Sequence, residues 1–431
     1  MIFMVCNASG WEKIQRNAVP LIGVFLRLLV GLCLLVGDPV IAATIAITEN
    51  DVDDRYPKIH SGQVIWQRAD SYRWQIDLYD GEYIHPLTHN DMLNIGPQID
   101  HGRAVWMSHF MFEPLEIFYF DGKQVFQITN DDLCDMYPSI YKRAIVWQRC
   151  AEDDPEIFLF DGRAVTRLTD NNQKDETPKI SGKRVVWRRF DGQDGEIFLY
   201  RKGRTKQLTD NAFEEQNPLI DGGMVVWELF DGNDWEIACH DGSGVMMLTD
   251  NAVDDFHVQI ADGRIVWLES GRQANEIVLF DRGKIKRVYA SPNQIDQLRT
   301  SQGQVIWNEF DGGDWEVFLF NGRQVLRLTD NSTDDRFPEI FDGEAVWEGH
   351  DGRDYEIYLY RTGPLCPGDL DRDGDVDTED FLLFTVDWGR NDCKEAPEDC
   401  SCDLNFDGGC SLPDYQLFIR DWGRLDCPVS P

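Results

Sequence analysis

The pattern of hydrophobic residues along the chain repeats with a period of about forty. In each repeat a short apolar run ends in a tryptophan, and a second apolar run similar to EIFLY follows. The tryptophans are spaced by 40 residues, with one spacing of 41: Trp66, Trp106, Trp147, Trp187, Trp227, Trp267, Trp307 and Trp347. A period of this length is typical of solenoids and propellers, in which each repeat is one supersecondary unit.

The fourth repeat shows how this pattern translates into strands. Four short strands are predicted at 177–181, 184–190, 196–200 and 204–209, separated by glycine-containing turns. The second and third are continuous apolar runs, as expected for strands that are covered on both faces. The fourth alternates and is therefore a half-exposed edge. Such four-stranded units, stacked side by side, indicate an all-β propeller.

The number of repeats and the two ends of the repeat region predict how the propeller closes. The eighth repeat ends at Arg361 without a fourth strand, while the segment 44–50 has the pattern of a strand and precedes the first repeat. We therefore predict an eight-bladed propeller over residues 44–361, closed by pairing of Ile45 with the strand at 356–360. An open solenoid would need capping repeats, and neither end has that pattern.

The repeats resemble those of TolB-type propellers and, more closely, repeats of prokaryotic surface proteins that read IVW…DIYLYDL…QIT. The resemblance covers about three quarters of the chain. It implies the propeller fold but not one function, since such propellers serve as scaffolds, binding modules and occasionally enzymes.

The charge of the chain limits the classes of partner. Among 431 residues there are 77 acidic and 41 basic side chains, which gives a net charge of −36. This charge argues against nucleic acid and anionic membranes as partners. It favours solubility, metal cations or a basic partner.

Residues 1–43 differ from the rest of the chain. Lys13 and Arg16 precede an apolar run at 18–37, and the small residues at 40–43 offer a cleavage site. This is the organisation of a secretory signal peptide, and a retained membrane anchor is the alternative. We expect cleavage, which would give an extracellular protein, secreted or attached to the cell surface, without membrane contact.

The cysteines agree with export. Six of the eleven lie in the last 66 residues, a density that favours disulfides in an oxidising compartment. Within the third repeat, Cys134 and Cys150 are equally far from the turn at Lys142. A hairpin of the first two strands would set them opposite each other, so we predict a Cys134–Cys150 disulfide.

Acidic loops are expected on one side of the ring, where LTDNxxxDxxP and FDGxD segments emerge together. They contain Asp170, Asp175, Asp191, Asp194, Asp210, Asp231, Asp234, Asp250, Asp254, Asp311, Asp314, Asp330, Asp334, Asp351 and Asp354, with Trp235, Trp315 and Tyr355 beside them. These residues could bind a cation, a basic partner or a sugar ring. Because they recur in blade after blade, we favour a role in the turns, where aspartate bonds its own backbone.

A binding site would show as a departure from the repeat. The sixth and seventh repeats depart by replacing a proline with Val258 and Leu298.

The segment after the connector 362–365 has the pattern of calcium-binding loops. In residues 369–380 oxygen ligands alternate, glycine stands sixth and an apolar residue eighth. The first ion would be bound by the side chains of Asp369, Asp371, Asp373 and Asp380, the carbonyl of Asp375, and Asp377 directly or through water. The pattern recurs 34 residues later, and the second ion would be bound by Asp403, Asn405, Asp407, Gly409, Ser411 and Asp414.

Each loop leads into a matching segment, 381–389 and 415–423, which is predicted to be helical. These duplicated units, with aspartate in the twelfth position and no helix before the loop, resemble type I dockerins. The resemblance covers residues 362–431 and implies a calcium-dependent module with two Ca²⁺ ions that docks onto a cohesin-type module. The partner would be selected by Thr378, Glu379, Leu412 and Pro413, and the difference between the two pairs argues against symmetric docking. Cys410 replaces the usual aliphatic residue, which implies a local disulfide with Cys400 or Cys402.

The histidines give no support for catalysis by the propeller, because the eight of them show no metal-ligand spacing and no nucleophile motif accompanies them. We therefore favour a secreted non-catalytic propeller that binds a carbohydrate or protein, attached through its dockerin-like module to a cohesin-bearing assembly or cell surface. The alternatives are an extracellular polysaccharide-degrading enzyme, either a glycoside hydrolase or a lyase, and a structural surface protein.

Overall fold

The computed structural model describes residues 6–7, 10–11, 43–111, 113–150, 154–361, 368, 370, 376–390, 402 and 409–423. The chain divides into two units, Met1–Val40 and Ile41–Pro431. In the first, β1 (Cys6–Asn7) pairs with β2 (Gly10–Trp11). Apart from Ala43, which belongs to the second unit, the rest of the predicted signal peptide lies outside the described residues, so it stays a prediction. No helix in the described part of the chain is long and apolar enough to cross a membrane.

The second unit contains eight four-stranded antiparallel sheets, the blades, each named here with strands A to D from inside to outside. Blades 1 to 4 are β4 (Asp54–His60), β5 (Gln63–Asp70), β6 (Arg73–Tyr79) and β7 (Ile84–Pro86); β8 (Leu93–Asp100), β9 (Arg103–His109), β10 (Glu116–Phe120) and β11 (Val125–Gln127); β12 (Cys134–Tyr141), β13 (Ala144–Cys150), β14 (Glu156–Phe160) and β15 (Val165–Arg167); β16 (Lys174–Ser181), β17 (Arg184–Phe190), β18 (Gly195–Arg201) and β19 (Arg204–Gln207).

Blades 5 to 8 continue the same order. They are β20 (Glu214–Asp221), β21 (Met224–Phe230), β22 (Trp235–His240) and β23 (Val245–Met247); β24 (Asp254–Ala261), β25 (Arg264–Ser270), β26 (Asn275–Asp281) and β27 (Lys284–Ser291); β28 (Gln294–Ser301), β29 (Gln304–Phe310), β30 (Trp315–Phe320) and β31 (Val325–Arg327); β32 (Asp335–Phe341), β33 (Glu344–His350), β34 (Tyr355–Arg361) and β3 (Ala43–Ala46).

The N-terminal strand closes the ring. Strand β3 forms strand D of blade 8, and Ile45 pairs with Leu359 of β34. The pairing extends to Ile47, whose N–H donates to the carbonyl of Ile357 at 2.7 Å. This confirms the eight blades and their closure by the segment that precedes the first repeat. The pairing also covers a strand edge that would otherwise be open to other chains.

The core lies between the blades. The repeated tryptophans are essentially inaccessible to solvent. Trp227 of blade 5, for example, packs on Val186 and Ile197 of blade 4. Because each blade covers the next, the second and third strands are apolar on both faces, as their continuous hydrophobic runs predict.

The inner strands are longer than predicted. Strand β16 begins at Lys174 rather than at 177, and its register shifts between Glu176 and Lys179. At this bulge Thr177 has a φ of 52°. The equivalent residues of the other blades also have positive φ: Tyr56, Gly96, Tyr137, Asn217, His257, Gln297 and Phe337. The bulge bends each inner strand where it lines the central channel. Because a proline follows the bulge, the sequence pattern does not reveal the first half of the strand.

The C-terminal segment contains two helices, α1 (Thr378–Val386) and α2 (Leu412–Asp421). They begin three residues before the predicted segments because Asp377 and Ser411 form capping boxes with Asp380 and Asp414. The core of this segment comprises Val376, Phe384, Cys402, Cys410 and Phe418. Of the two partners expected for Cys410, the structure pairs it with Cys402 in a disulfide. Most of the predicted calcium-loop residues lie outside the described residues.

Candidate functional site

Some of the aspartates that were predicted to lie on the acidic loops are buried in the core of the blades. Asp175 was expected on the loop surface, but it is fully buried and accepts a hydrogen bond from Nε1 of Trp187 at 2.5 Å. The same pair recurs as Trp66–Asp54, Trp147–Asp135, Trp267–Asp255 and Trp347–Asp335, at 2.7, 2.8, 2.9 and 3.0 Å. These aspartates are buried hydrogen-bond acceptors within their blades rather than surface residues.

In the remaining three blades the position of the buried aspartate is occupied by Asn94, Glu215 or Ile295. The indole N–H groups of Trp106, Trp227 and Trp307 correspondingly have no hydrogen-bond partner among the described residues. The Trp–Asp pair therefore occurs in five of the eight blades, and we interpret it as a structural element of the blade rather than as a functional site.

The FDGxD aspartates accept hydrogen bonds from backbone N–H groups of their own turns, as expected. Oδ1 of Asp191 accepts the backbone N–H groups of Gln193 and Asp194, at 2.8 and 3.3 Å. Backbone N–H groups lower the pKa of the equivalent Asp311 and Asp351. Asp311, Asp314 and Glu316 lie close enough to share a cation, but Arg327 already binds Asp311 and Glu316.

Two of the three expected aromatic platforms are covered by arginine side chains. The guanidinium of Arg336 lies 5.0 Å from the ring centre of Trp315, and that of Arg55 lies 4.0 Å from the ring centre of Tyr355. A sugar ring stacked on either aromatic face would have to displace this cation.

The residues that line the central channel differ in charge and polarity from one repeat to the next. The inner strands of neighbouring blades contact one another, and each contributes the residue after its proline, or after Val258 or Leu298, to the channel. These eight residues form the channel ring: Lys58, Gln98, Ser139, Lys179, Leu219, Gln259, Arg299 and Glu339. The ring carries three cations and one carboxylate inside a protein with a net charge of −36.

The four charges of the ring are paired unevenly. Glu339 binds Lys58 and accepts a hydrogen bond from Nε of Arg299 at 2.9 Å. Burial alone would raise the pKa of Glu339, but Arg299 and Lys58 lower it overall. Lys179 forms no hydrogen bond or ion pair with any described side chain. Burial, and then the charges of Lys58 and Arg299, lower the pKa of its ammonium group.

A cavity of about 350 Å³ leads to this ring at blades 4 to 7. Lys179, Gln259 and Arg299 of the channel ring line it, together with Val258 and Leu298. The cavity therefore includes the two repeats that lack the proline, together with the two repeats that precede them. Its volume is in the range of small-molecule sites. The channel remains open to water, since a quarter of the Lys58 side chain, 25%, is accessible.

A histidine cluster that sequence reasoning missed lies at the turns between strands A and B. Nε2 of His60 lies 3.2 Å from Asp100, and Nδ1 of His101 lies 2.8 Å from the same carboxylate. Nδ1 of His60 accepts the backbone N–H of His101 at 3.1 Å. Both ring nitrogens of His60 are thus engaged, and burial lowers its pKa. The cluster joins blades 1 and 2, and a spacing of one repeat was the signal that could have revealed it.

Cys134 and Cys150 are opposite each other in the register of β12 and β13, as expected. Both are free thiols in this structure. Burial and the neighbouring Cys134 raise the pKa of Cys150 to about 12. The disulfide between them stays a prediction.

The two C-terminal loop–helix units pair with each other reciprocally. The N–H of Gly389 donates to the carbonyl of Cys410 at 3.0 Å, and the N–H of Gly423 donates to the carbonyl of Val376 at 2.8 Å. Each donor and each acceptor is related to its counterpart by 34 residues, the spacing of the duplication. The two units are therefore arranged with local two-fold symmetry.

The twelfth residue of each loop is buried within this pair. Asp380 accepts the N–H groups of Leu370 and Asp377, at 2.6 and 2.9 Å. Asp414 accepts the N–H of Ser411 at 2.8 Å. The predicted ligands Asp369, Asp371, Asp373, Asp375, Asp403, Asn405 and Asp407 lie outside the described residues. Gly409 is buried, while Asp377, Thr378, Glu379 and Leu412 are exposed.

Comparison with known proteins supports the fold alone. No protein-family model matches the chain, and no curated protein does. Among solved structures, a prolyl endopeptidase matches with a TM-score of 0.52 and 9% identity over 70% of this chain and 54% of its own. The computationally designed Ika8 protein matches with a TM-score of 0.51 and 14% identity over 73% of this chain and 98% of its own. The β-propeller domain of the trilobed protease from Pyrococcus furiosus has a TM-score of 0.48 and 12% identity, with 63% and 96% covered. The chain thus spans about half the length of the prolyl endopeptidase, 54%.

Proposed function

We propose that this protein is an extracellular, non-catalytic binding propeller that is attached to a partner protein through a calcium-dependent C-terminal module. The observation that carries the attachment is the reciprocal pairing of the two loop–helix units through Gly389–Cys410 and Gly423–Val376. Such pairing makes a single compact module from two short helices, each too short to be stable alone.

Calcium fits the described part of this module. Asp380 and Asp414 are fully buried carboxylates, each at the end of an acidic loop. Removing a carboxylate from water is costly unless a positive charge compensates it, and a divalent cation with oxygen ligands supplies that charge. The ions would be held by Asp380 and Asp414 together with the predicted loop ligands, and they would fix the loops at the N-termini of α1 and α2.

The exposed face of α1 supports docking onto a partner protein. Leu382 and Val386 are 60% and 77% exposed, and with Thr378 they follow one another at a spacing of four. Residues at this spacing lie on one face of a helix. An apolar stripe beside Thr378 and Glu379 matches the helix-in-groove mode of recognition, which supports a cohesin-type module as the partner.

The cysteines of the propeller do not have the properties of catalytic nucleophiles. Burial raises the pKa of Cys239 to about 11, and burial with Cys134 raises that of Cys150 to about 12. Since the thiolate is the nucleophile, neither group is activated at neutral pH. Turnover of a polysaccharide by the full chain would instead favour the alternative of a glycoside hydrolase or lyase.

Calcium titration of the full chain tests the attachment module. After treatment with a chelator, calorimetry is expected to show saturable binding of about two ions, with a gain of helical circular dichroism because folding and binding are coupled. Asp380→Asn and Asp414→Asn are each expected to lose one ion. Glu379→Gln removes an equal charge at an exposed position of the same helix and should keep both. Absence of saturable binding, or equal loss in the control, would refute the proposal.

A further inference from the structure

The charge of the channel ring is not balanced within the ring. Three of its side chains are cationic, Lys58, Lys179 and Arg299, and only Glu339 is anionic. We propose that the ring binds a small dianionic oxyanion group, with Lys179 on one side of the channel and Arg299 and Lys58 on the other. A dianion would neutralise the ring's excess of two positive charges. The inference rests on the proposal that the propeller is a binding module, and it is independent of the calcium module.

Lys179 is the group that most requires such a ligand. No described residue pairs with it, and the two charged groups that act on it are the cations Lys58 and Arg299. Like charges in a channel that is only partly open to water repel one another, and an anion between them would relieve this repulsion. Lys58 differs, because Glu339 already pairs with it.

Arg299 retains donors for a ligand. Its Nε donates to Glu339 at 2.9 Å and its Nη1 donates to the carbonyl of Leu298 at 2.8 Å. A guanidinium has five N–H donors in one plane, so part of the group remains available. Arginine and lysine together suit carboxylate, sulfate or phosphate groups, which accept several charge-assisted hydrogen bonds.

The two carboxylates that line the cavity, Glu228 and Asp296, form no ion pair with Lys179. Glu228 accepts hydrogen bonds from Nδ2 of Asn217 at 2.8 Å and from the N–H of Val258 at 3.3 Å. Asp296 accepts the N–H of Gln297 at 2.7 Å. Both are therefore engaged by neutral N–H donors of neighbouring residues rather than by Lys179. The cavity of about 350 Å³ limits the ligand to a small molecule or a single anionic group.

Calorimetry with the full chain tests the inference, using sulfate and malonate as dianions and acetate as a monoanion of similar chemistry. We expect one saturable site for at least one dianion and none for acetate at the same concentration. The preference between sulfate and malonate distinguishes an inorganic or ester group from a dicarboxylate. Lys179→Gln is expected to weaken dianion binding at least tenfold, the effect of losing one charge-assisted contact.

Lys174→Gln is the matched control, because Lys174 is an exposed residue of the same strand, β16. It should bind the dianion as the wild type does. Thermal melting gives a second readout: without the anion Lys179→Gln should melt higher than the wild type. The dianion should raise the melting temperature of the wild type more than that of the variant, since sulfate also stabilises folded proteins by exclusion from their surface. Absence of dianion binding, or identical behaviour of the two variants, would overturn the inference. Neither outcome would affect the calcium titration.

Discussion

Removal of the Asp175 carboxylate should destabilise the propeller far more than removal of its neighbour in the same loop. Asp175 accepts hydrogen bonds from Trp187, from Nδ2 of Asn171 at 2.7 Å, and from Nε of Arg189 at 2.7 Å. Asp170 stands five residues earlier, is 83% exposed and pairs with Arg167 at 3.0 Å. The two alanine variants remove the same chemical group from opposite environments.

The magnitude follows from the partners that are left behind. In Asp175→Ala the indole N–H of Trp187 loses its acceptor in a buried site, which costs about 1–3 kcal/mol. The guanidinium of Arg189, whose side chain is only 16% exposed, loses its carboxylate, and breaking a buried ion pair costs roughly 3–5 kcal/mol. The two contributions sum to about 4–8 kcal/mol, and we expect the total to lie toward the lower end of this range because the arginine keeps some contact with water. Asp170→Ala should cost less than about 1 kcal/mol, as for exposed ion pairs.

Guanidinium and thermal unfolding of the wild type and the variants provide the assay. Asp175→Asn keeps an acceptor for Trp187 but not the charge, so its loss of stability should lie between those of the two alanine variants. The double variant Asp175→Ala with Arg189→Met should recover part of the loss, because it removes the unpaired cation. Equal destabilisation by Asp175→Ala and Asp170→Ala would refute the assignment of Asp175 to the core.

Three further outcomes are expected. Deletion of residues 43–50 opens blade 8, exposes the edge of β34, and should lower the thermal midpoint and promote aggregation; an unchanged midpoint would contradict closure by this strand. Burial raises the pKa of Asp54, Asp255 and Asp335 to about 7, so the folded chain retains protons that the unfolded chain releases near pH 4. The stability they contribute is lost as the pH rises from about 4 through 7, and Asp255→Asn should flatten the fall in melting temperature between pH 5 and pH 8. Intact-mass analysis of alkylated oxidised protein should show Cys134 and Cys150 unlabelled; two labelled thiols would remove their disulfide.

The fold could be predicted from the sequence because its signals are local. Each tryptophan strand and each EIFLY-like strand is a continuous apolar run, and the missing last strand had one candidate, the segment that contains Ile45. The inner strands were predicted too short, because a left-handed residue such as Thr177 and its bulge leave no hydrophobic pattern. The buried Asp175 was read as a loop residue because it lies in a polar stretch. Its fixed distance of twelve residues from Trp187, repeated in five blades, was the available signal.

The channel ring could not be predicted by reading along the chain. Lys58, Lys179 and Arg299 are separated by more than one hundred residues each, and they meet only because their blades surround one channel. Aligning the repeats and reading the residue after the proline as a column would have shown the excess of positive charge. The histidine cluster of His60 and His101 is hidden in the same way, since its members belong to different blades.

The most direct test of the functional account is a crystal structure of the full chain grown with sulfate or malonate. We expect an ordered anion in the channel, within hydrogen-bond distance of Lys179 and facing Arg299 and Lys58. The same crystals of Lys179→Gln should lack it. Ordered water alone between these side chains, or a protein carboxylate paired with Lys179, would show that the channel ring is not an anion site.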